Sequence, residues 1–237
     1  GNAIWFDEAV EKMGADVMRW MYTLQNPSIP IHFGYTYANE VKRNLTVIWN
    51  LSKYVDMSCK NIAKEINLDP LSAWMVSKRE SLKLSITSNL ENMQPHIAMR
   101  ELKEYFLETL SRGYAQYVRE NLDDPKIQAV LYNSFIDGII LMAPFLPFIS
   151  EKVYSFNSAK KESVFLESWP KPNHKKINKK LETEFELVRN ILKELFASRE
   201  KANINVRWPL KEATIHVNKP KTVKKFLPFL KQKANIK

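Results

Sequence analysis

Apolar residues recur along this chain every three or four positions. From Phe33 they run through Tyr37, Val41, Leu45, Ile48 and Leu51 to Val55, a mean gap close to the 3.6 residues of an α-helical turn. Ala98, Leu102, Phe106, Leu110, Gly113 and Tyr117 share a face in the same way. So do Ile127, Val130, Leu131, Phe135 and Ile139, and again Ile177, Leu181, Phe185, Val188, Leu192 and Leu195. A helix with one apolar stripe must bury it, and here the other stripes are what can cover it. The period predicts long helices over about 33–57, 71–91, 95–121, 125–143 and 177–201, and a short one over about 147–154. Asp69-Pro70, Asp124-Pro125 and Pro144 mark their ends, because proline cannot continue a helix and restricts the residue before it. Phe6 to Leu24 reads as two short helices turning at Gly14, and Pro27 and Pro30 break the segment between them and the first long helix.

The expected fold is therefore mainly α: an antiparallel helix bundle followed by a small α/β subdomain. The β part rests on Ala213-Thr214-Ile215-His216-Val217, which is β-branched at three of five places. One strand has no ladder, so the chain stops partway through that subdomain or pairs this piece with another element. A last helix is expected over about 221–233. Five glycines in 237 residues are too few for a glycine-rich nucleotide loop plus the turns of a large sheet protein.

Composition excludes several classes. Aromatic residues make up 11% of the chain, which is not the composition of a disordered one. No apolar run reaches the roughly 18 residues a membrane span needs, and the N-terminus lacks the pattern of a secretory signal. The single cysteine, Cys59, excludes a disulfide framework and a cysteine-built zinc site, and it fits a reducing cytoplasm. Net charge is +10, and its placement is uneven. Residues 156–237 hold 20 Lys and Arg against 8 Asp and Glu, whereas the first 155 hold 16 against 18. Such asymmetry points to a polyanion, nucleic acid before membrane; a solvated lysine-rich surface is the competing reading. His32, His96, His174 and His216 are too scattered for a metal helix, and neither a P-loop, G-x-G-x-x-G nor G-x-S-x-G is present. Residue chemistry alone gives a binding module, or the part of an enzyme that lacks the active site, with no catalytic or metal residues.

Several segments resemble the class I aminoacyl-tRNA synthetases for isoleucine, valine, leucine and methionine. Gly1-Asn2 followed by Gly14-Ala15-Asp16 and Arg19 is similar to the stretch after that family's Lys-Met-Ser-Lys-Ser loop, which is itself missing here. VKRNLTVIWNLSKYV resembles the first helix of the anticodon-binding bundle, with Trp49-Asn50. LMAPFLPFISEKVY resembles the bundle's last helix, and SVFLESWP the segment leading out of it. Leu110-Ser111-Arg112-Gly113-Tyr114 and SREKANINVRWPLKEATI are similar to isoleucyl enzymes in particular. Two positions depart from the pattern: Gly113 stands where Trp is usual, and Trp208 where Gln is common.

The resemblance implies an anticodon-binding bundle of the class I synthetase type. Residues 1–30 would be the connector from the catalytic domain, 31–155 the bundle, 156–175 a linker and 176–237 a basic, incomplete α/β subdomain. The implied partners are a tRNA, tRNA(Ile) first, and the parent's own catalytic domain. The parent would be a monomeric, cytoplasmic, ATP-dependent isoleucine–tRNA ligase. ATP and Mg would be handled by that catalytic domain, so this sequence itself takes no cofactor and is not catalytic alone. The alternatives are a valyl or leucyl enzyme, or a helical protein-interaction scaffold with a basic tail. The Gly-Ala-Asp stretch, read as a hinge from a catalytic domain, argues against the scaffold.

The helical wheel and the charge clusters supply candidate tRNA contacts. With Phe33 at zero and about 100° per residue, the apolar stripe of the first long helix centres near 60°. Lys42, Arg43, Asn50 and Lys53 then fall opposite it, at about 180° to 280°, and Trp49 lies on the border at about 160°. Cations suit phosphates, amides suit base edges, and an indole can stack on a splayed base; Trp49 can equally cap the edge of the core. Arg112, Tyr114 and Arg119 flank the stripe of the third helix, where Arg112 can instead brace a helix through a carboxylate. Lys175, Lys176, Lys179 and Lys180 form a dense cluster suited to phosphates without sequence readout.

Overall fold

The helices begin where the sequence supplies caps. Asp69 accepts from the backbone N–H groups of Leu71 and Ser72 (2.8 and 3.1 Å), and Asp124 from that of Lys126 (2.8 Å). In each case the next residue is a proline at the first helical position, where its missing N–H costs nothing. A computed structural model describes residues 4–157, 161–218 and 220–237. Gly1-Asn2 of the resemblance and residues 158–160 of the expected linker fall outside them.

In chain order the helices are α1 (Phe6–Met13), α2 (Ala15–Thr23), α3 (Tyr35–Ser58), α4 (Pro70–Glu91), α5 (Pro95–Glu104), α6 (Pro125–Met142), α7 (Pro147–Asn157), α8 (Lys179–Lys201), α9 (Pro220–Lys225) and α10 (Leu227–Ala234). Helix α5 runs directly into a π-helical stretch, Tyr105–Ala115. The one helix expected over 221–233 is two, broken at Phe226. Pro228, in the first turn of α10, has no N–H to extend α9. Residues 213–217 have no regular secondary structure. The described residues contain no strand, only a parallel bridge between Leu210 and Ile236. A β-branched run becomes a strand only against a partner that takes its backbone hydrogen bonds, and no described segment pairs with this one.

The chain divides into two units. The first comprises Gly1–Ile66 and Arg79–His174. There α3 packs on α2, α6, α7 and the π-helical stretch, and α6 packs on α7. Trp20, Ile48, Phe106, Phe135 and Tyr154 are fully buried between them. Gly14 sits between α1 and α2 at φ +91°, a conformation that side chains disfavour. The Gly-Ala-Asp motif then acts as a clasp. Asp16 accepts from the N–H groups of Phe148 and Ile149 (3.4 and 2.6 Å), capping α7, while Arg19 donates to the carbonyls of Phe145 and Pro144 (2.7 and 2.8 Å). Residues 161–174 are strapped to the same unit. Glu151 accepts from Ser163 and Val164, Tyr154 donates to Glu167, and Trp169 donates to Thr87.

Beneath that strap lies a buried charge network. Arg79, 4% exposed, donates to both carboxylate oxygens of Glu65 (2.6 and 2.7 Å) and lies 3.2 Å from Glu80 and 3.3 Å from Asp137. Lys83 reaches Asp137 at 2.7 Å and Glu80 at 3.1 Å. Asn133 donates to Glu65, and the Asn173 N–H to Glu80. Burial favours the protonated form of Glu80, but the Asn173 N–H and the charges of Lys83 and Arg79 outweigh it and hold the carboxyl below the usual range.

The second unit comprises Asn67–Lys78 and Lys175–Lys237. Phe185 of α8 is its centre, with ring centroids of Trp74, Phe226 and Phe229 at 4.3, 5.3 and 5.6 Å. Arg199 is buried and donates to four carbonyls, those of Asn205, Trp208, Ala234 and Asn235. It thereby gathers the loop after α8 and the end of α10. No described helix is long and apolar enough to cross a membrane.

Removing Arg79 leaves Glu65, Glu80 and Asp137 close together with Lys83 beside them. Arg79→Ala should cost about 3–5 kcal/mol in guanidinium unfolding; a loss below about 1 kcal/mol would be the value of a surface pair. Because its pKa is lowered, Glu80 contributes stability that is complete above the ordinary glutamate range and is lost as pH falls. Glu80→Gln should therefore flatten the decline of the melting temperature on acidification below about pH 5; an unchanged slope would contradict it.

Candidate nucleic-acid interface

The outward face of α3 carries the first group of sequence candidates. Arg43 is exposed and bonds the Asn39 carbonyl of its own helix, at 3.4 Å. Lys42 donates to the carbonyl of Lys12 at 2.8 Å, so it ties α1 to α3 and offers the rest of its charge to solvent. Asn50 and Arg119 come together across a groove of about 420 Å³ between α3 and the π-helical stretch. Tyr54, Ser111 and Gln116 line it too. The Tyr54 hydroxyl is buried and finds no hydrogen-bond partner among the described residues. Burial raises its pKa, and Arg119 opposes that rise.

Trp49 and Lys53 form a second group. Trp49 is half-buried, and Lys53 Nζ lies 5.2 Å from its ring centroid. The ring also meets Phe156 of α7 in a T-shaped contact, at 5.4 Å and 69°, and Lys152 Nζ lies over the Phe156 ring, 5.0 Å from its centroid. Trp49 thus packs at the edge of the core, beside the exposed ring of Phe156. Phe156 and Lys152 are not among the sequence candidates. Their spacing of four on α7 is visible in the sequence, but its meaning depends on Trp49 lying opposite.

Tyr114 is corrected. It is 0% exposed and belongs to the core, so it has no surface for RNA. The cause is the π-helical winding, which widens the buried repeat from four residues to five. Tyr105 and Thr109 lead to Tyr114, and Phe106 and Leu110 lead to Ala115, all buried. An α-helical wheel drifts out of step across that widening. Gly113 belongs to the same winding: a Cβ there would lie 2.8 Å from the Glu108 carbonyl oxygen. Arg112 is exposed and pairs at 2.6 Å with Glu108, a carboxylate of its own helix.

The basic cluster lies in the second unit. Lys175, Lys176, Lys179 and Lys180 are all exposed at the entry to α8, and Lys179 pairs with Glu182 at 3.2 Å. Asn178 caps this helix by accepting from the Leu181 N–H, while its own N–H donates to Ser77. Cations at a helix N-terminus oppose the helix dipole, so they do not serve the helix there.

The arrangement of these helices is similar to that in LeuRS from Agrobacterium radiobacter K84, solved in a ternary complex with tRNA and LeuAMS. The TM-score is 0.61 at 17% identity, covering 75% of this chain and 22% of that one. The structure thus shares the helix-bundle fold of that part of the synthetase. Residues 72–215 match the anticodon-binding domain of tRNA ligase, and the chain belongs to that family. Among its relatives, the isoleucine–tRNA ligases of Methanopyrus kandleri and Methanothrix thermoacetophila are each 31% identical across 100% of this chain. That of Pyrococcus abyssi is 32% identical across 95%. The chain spans only 24%, 25% and 23% of those relatives.

Among the described residues, no three His, Cys, Asp or Glu side chains are placed to hold a metal. Cys59 is 8% exposed, and burial pushes its thiol up to about 12. The thiolate is the reactive form, so iodoacetamide at pH 8 should leave the native chain unmodified and label it once unfolded. Prompt stoichiometric labelling of the native chain would contradict this environment.

Proposed function

We propose that this chain is the anticodon-arm-binding part of an isoleucine–tRNA ligase and that its RNA partner is tRNA(Ile). The observation that carries the isoleucine reading is the 31% identity to isoleucine–tRNA ligases along the full length of this chain. ATP- and Mg-dependent aminoacylation then belongs to the remainder of a longer, cytoplasmic, monomeric protein, and this part contributes recognition.

The site residues take distinct roles in this reading. The groove between α3 and the π-helical stretch receives a splayed anticodon base. The Asn50 and Gln116 amides and the Ser111 hydroxyl face its edge, and Arg119 neutralises the adjoining phosphate. Arg43 and the free face of Lys42 grip the backbone along α3. Lys175, Lys176, Lys179 and Lys180 supply charge that is indifferent to sequence, and a phosphate at the entry to α8 also relieves their conflict with its dipole. Arg112, held by Glu108, is a weaker contact, and Tyr114 is none.

The test is salt-titrated binding of isoleucine, valine and methionine tRNA transcripts and an unrelated hairpin. Preference for the isoleucine transcript is the expected result. Equal, steeply salt-dependent binding of all four would overturn the isoleucine assignment, and no binding at moderate salt would overturn the RNA assignment. Replacing the four clustered lysines with glutamine should lower the slope of log K against log salt by about 0.7–0.9 for each phosphate no longer neutralised. An unchanged slope would remove them from the interface.

A further inference from the structure

Trp49 and Lys53 are four residues apart on α3, and Lys152 and Phe156 are four apart on α7. That spacing puts each pair on one helical face. The rings meet between the helices, which gives the order Lys53, Trp49, Phe156, Lys152: a cation, two rings, and a cation. Each ring has a lysine over it, but they differ in exposure: Trp49 is half-buried, whereas Phe156 is 45% exposed.

A lone exposed phenylalanine is unremarkable on a protein surface. This one is held in place. The next residue, Asn157, donates to the Ser52 hydroxyl on α3 at 2.9 Å, and its carbonyl accepts from the Tyr132 hydroxyl on α6 at 2.8 Å. Val153 and Tyr154, on the turn before, are completely buried. The last turn of α7 is thus bonded to two neighbouring helices, and Phe156 stands out from a fixed frame rather than from a loose end. A rigid ring loses little freedom when a flat ligand covers it. Flanking ammonium groups make that ligand one that carries negative charge beside its flat face.

Building on the proposed RNA binding, we propose that Phe156 is a stacking platform for one unstacked RNA base. Trp49 backs it in a T-shaped contact, and Lys152 and Lys53 take the phosphates on either side. Every base has a π-face, so the platform holds without reading sequence. It complements the groove, where the Asn50 and Gln116 amides and the Ser111 hydroxyl do read.

The experiment uses an anticodon-arm RNA hairpin and a set of the same hairpins, each lacking one loop base. Phe156→Leu keeps apolar bulk and removes the ring; Phe156→Trp keeps a ring. Against the intact arm, Phe156→Leu should bind at least about fivefold more weakly, and Phe156→Trp as well as the unaltered chain. One abasic arm should be bound equally by the unaltered chain and Phe156→Leu, because it lacks the base that stacks. Unchanged binding by Phe156→Leu would overturn the platform alone, as would an equal loss in both variants or the same loss on every abasic arm. Failure of the unaltered chain to bind any arm would overturn the RNA reading with it.

Discussion

Arg79 joins parts of the chain that are far apart in sequence. Its guanidinium fork takes the carboxylate of Glu65, which lies in the connection from α3 to α4, and it sits between Glu80 of its own helix and Asp137 of α6. Through Glu80 the same network reaches Asn173 on the strap that leaves the bundle. Buried charge is tolerated only when each group finds partners. The connection, α4, α6 and the strap therefore have one arrangement that satisfies all of them. An apolar core alone fixes how tightly helices pack; this network also fixes which loops lie over them.

The Gly14-Ala15-Asp16 motif has a role that needs no catalytic domain beside it. Asp16 caps α7, and Arg19, three residues on, takes the carbonyls of the corner before it. One turn of α2 thus sets both the start and the approach of α7. The last turn of that helix carries Phe156, against Trp49 of α3. The clasp at one end of α7 and the Asn157 bonds at the other fix an aromatic surface that the clasp itself never touches.

Most of the helical framework was legible because each stripe repeats at one period and proline marks its ends. The clasp, the charge network and the Trp49–Phe156 pair were not, since each depends on which side chains from distant segments face one another. Carboxylates are plentiful, and nothing in their spacing singles out Glu65, Glu80 and Asp137. Residues 213–217 misled for a related reason: β-branched composition describes a surface fit for pairing, and the pairing partner decides whether a strand forms. Tyr114 misled through geometry, since a constant angle per residue fails where the winding changes. In the candidate site, the α3 positions read correctly as outward-facing, while the residues that complete the groove and the paired rings came from other helices.

Gly113 lines no part of the groove, yet it governs what faces it. Any Cβ there would press on the Glu108 carbonyl, and relief would come by rewinding the helix toward its ordinary pitch. Rewinding rotates everything downstream, including Gln116 and Arg119. A change at one residue outside the groove can therefore turn the lining as a set rather than replacing its members singly. A lineage with such a change would present a different groove while every groove residue stayed the same.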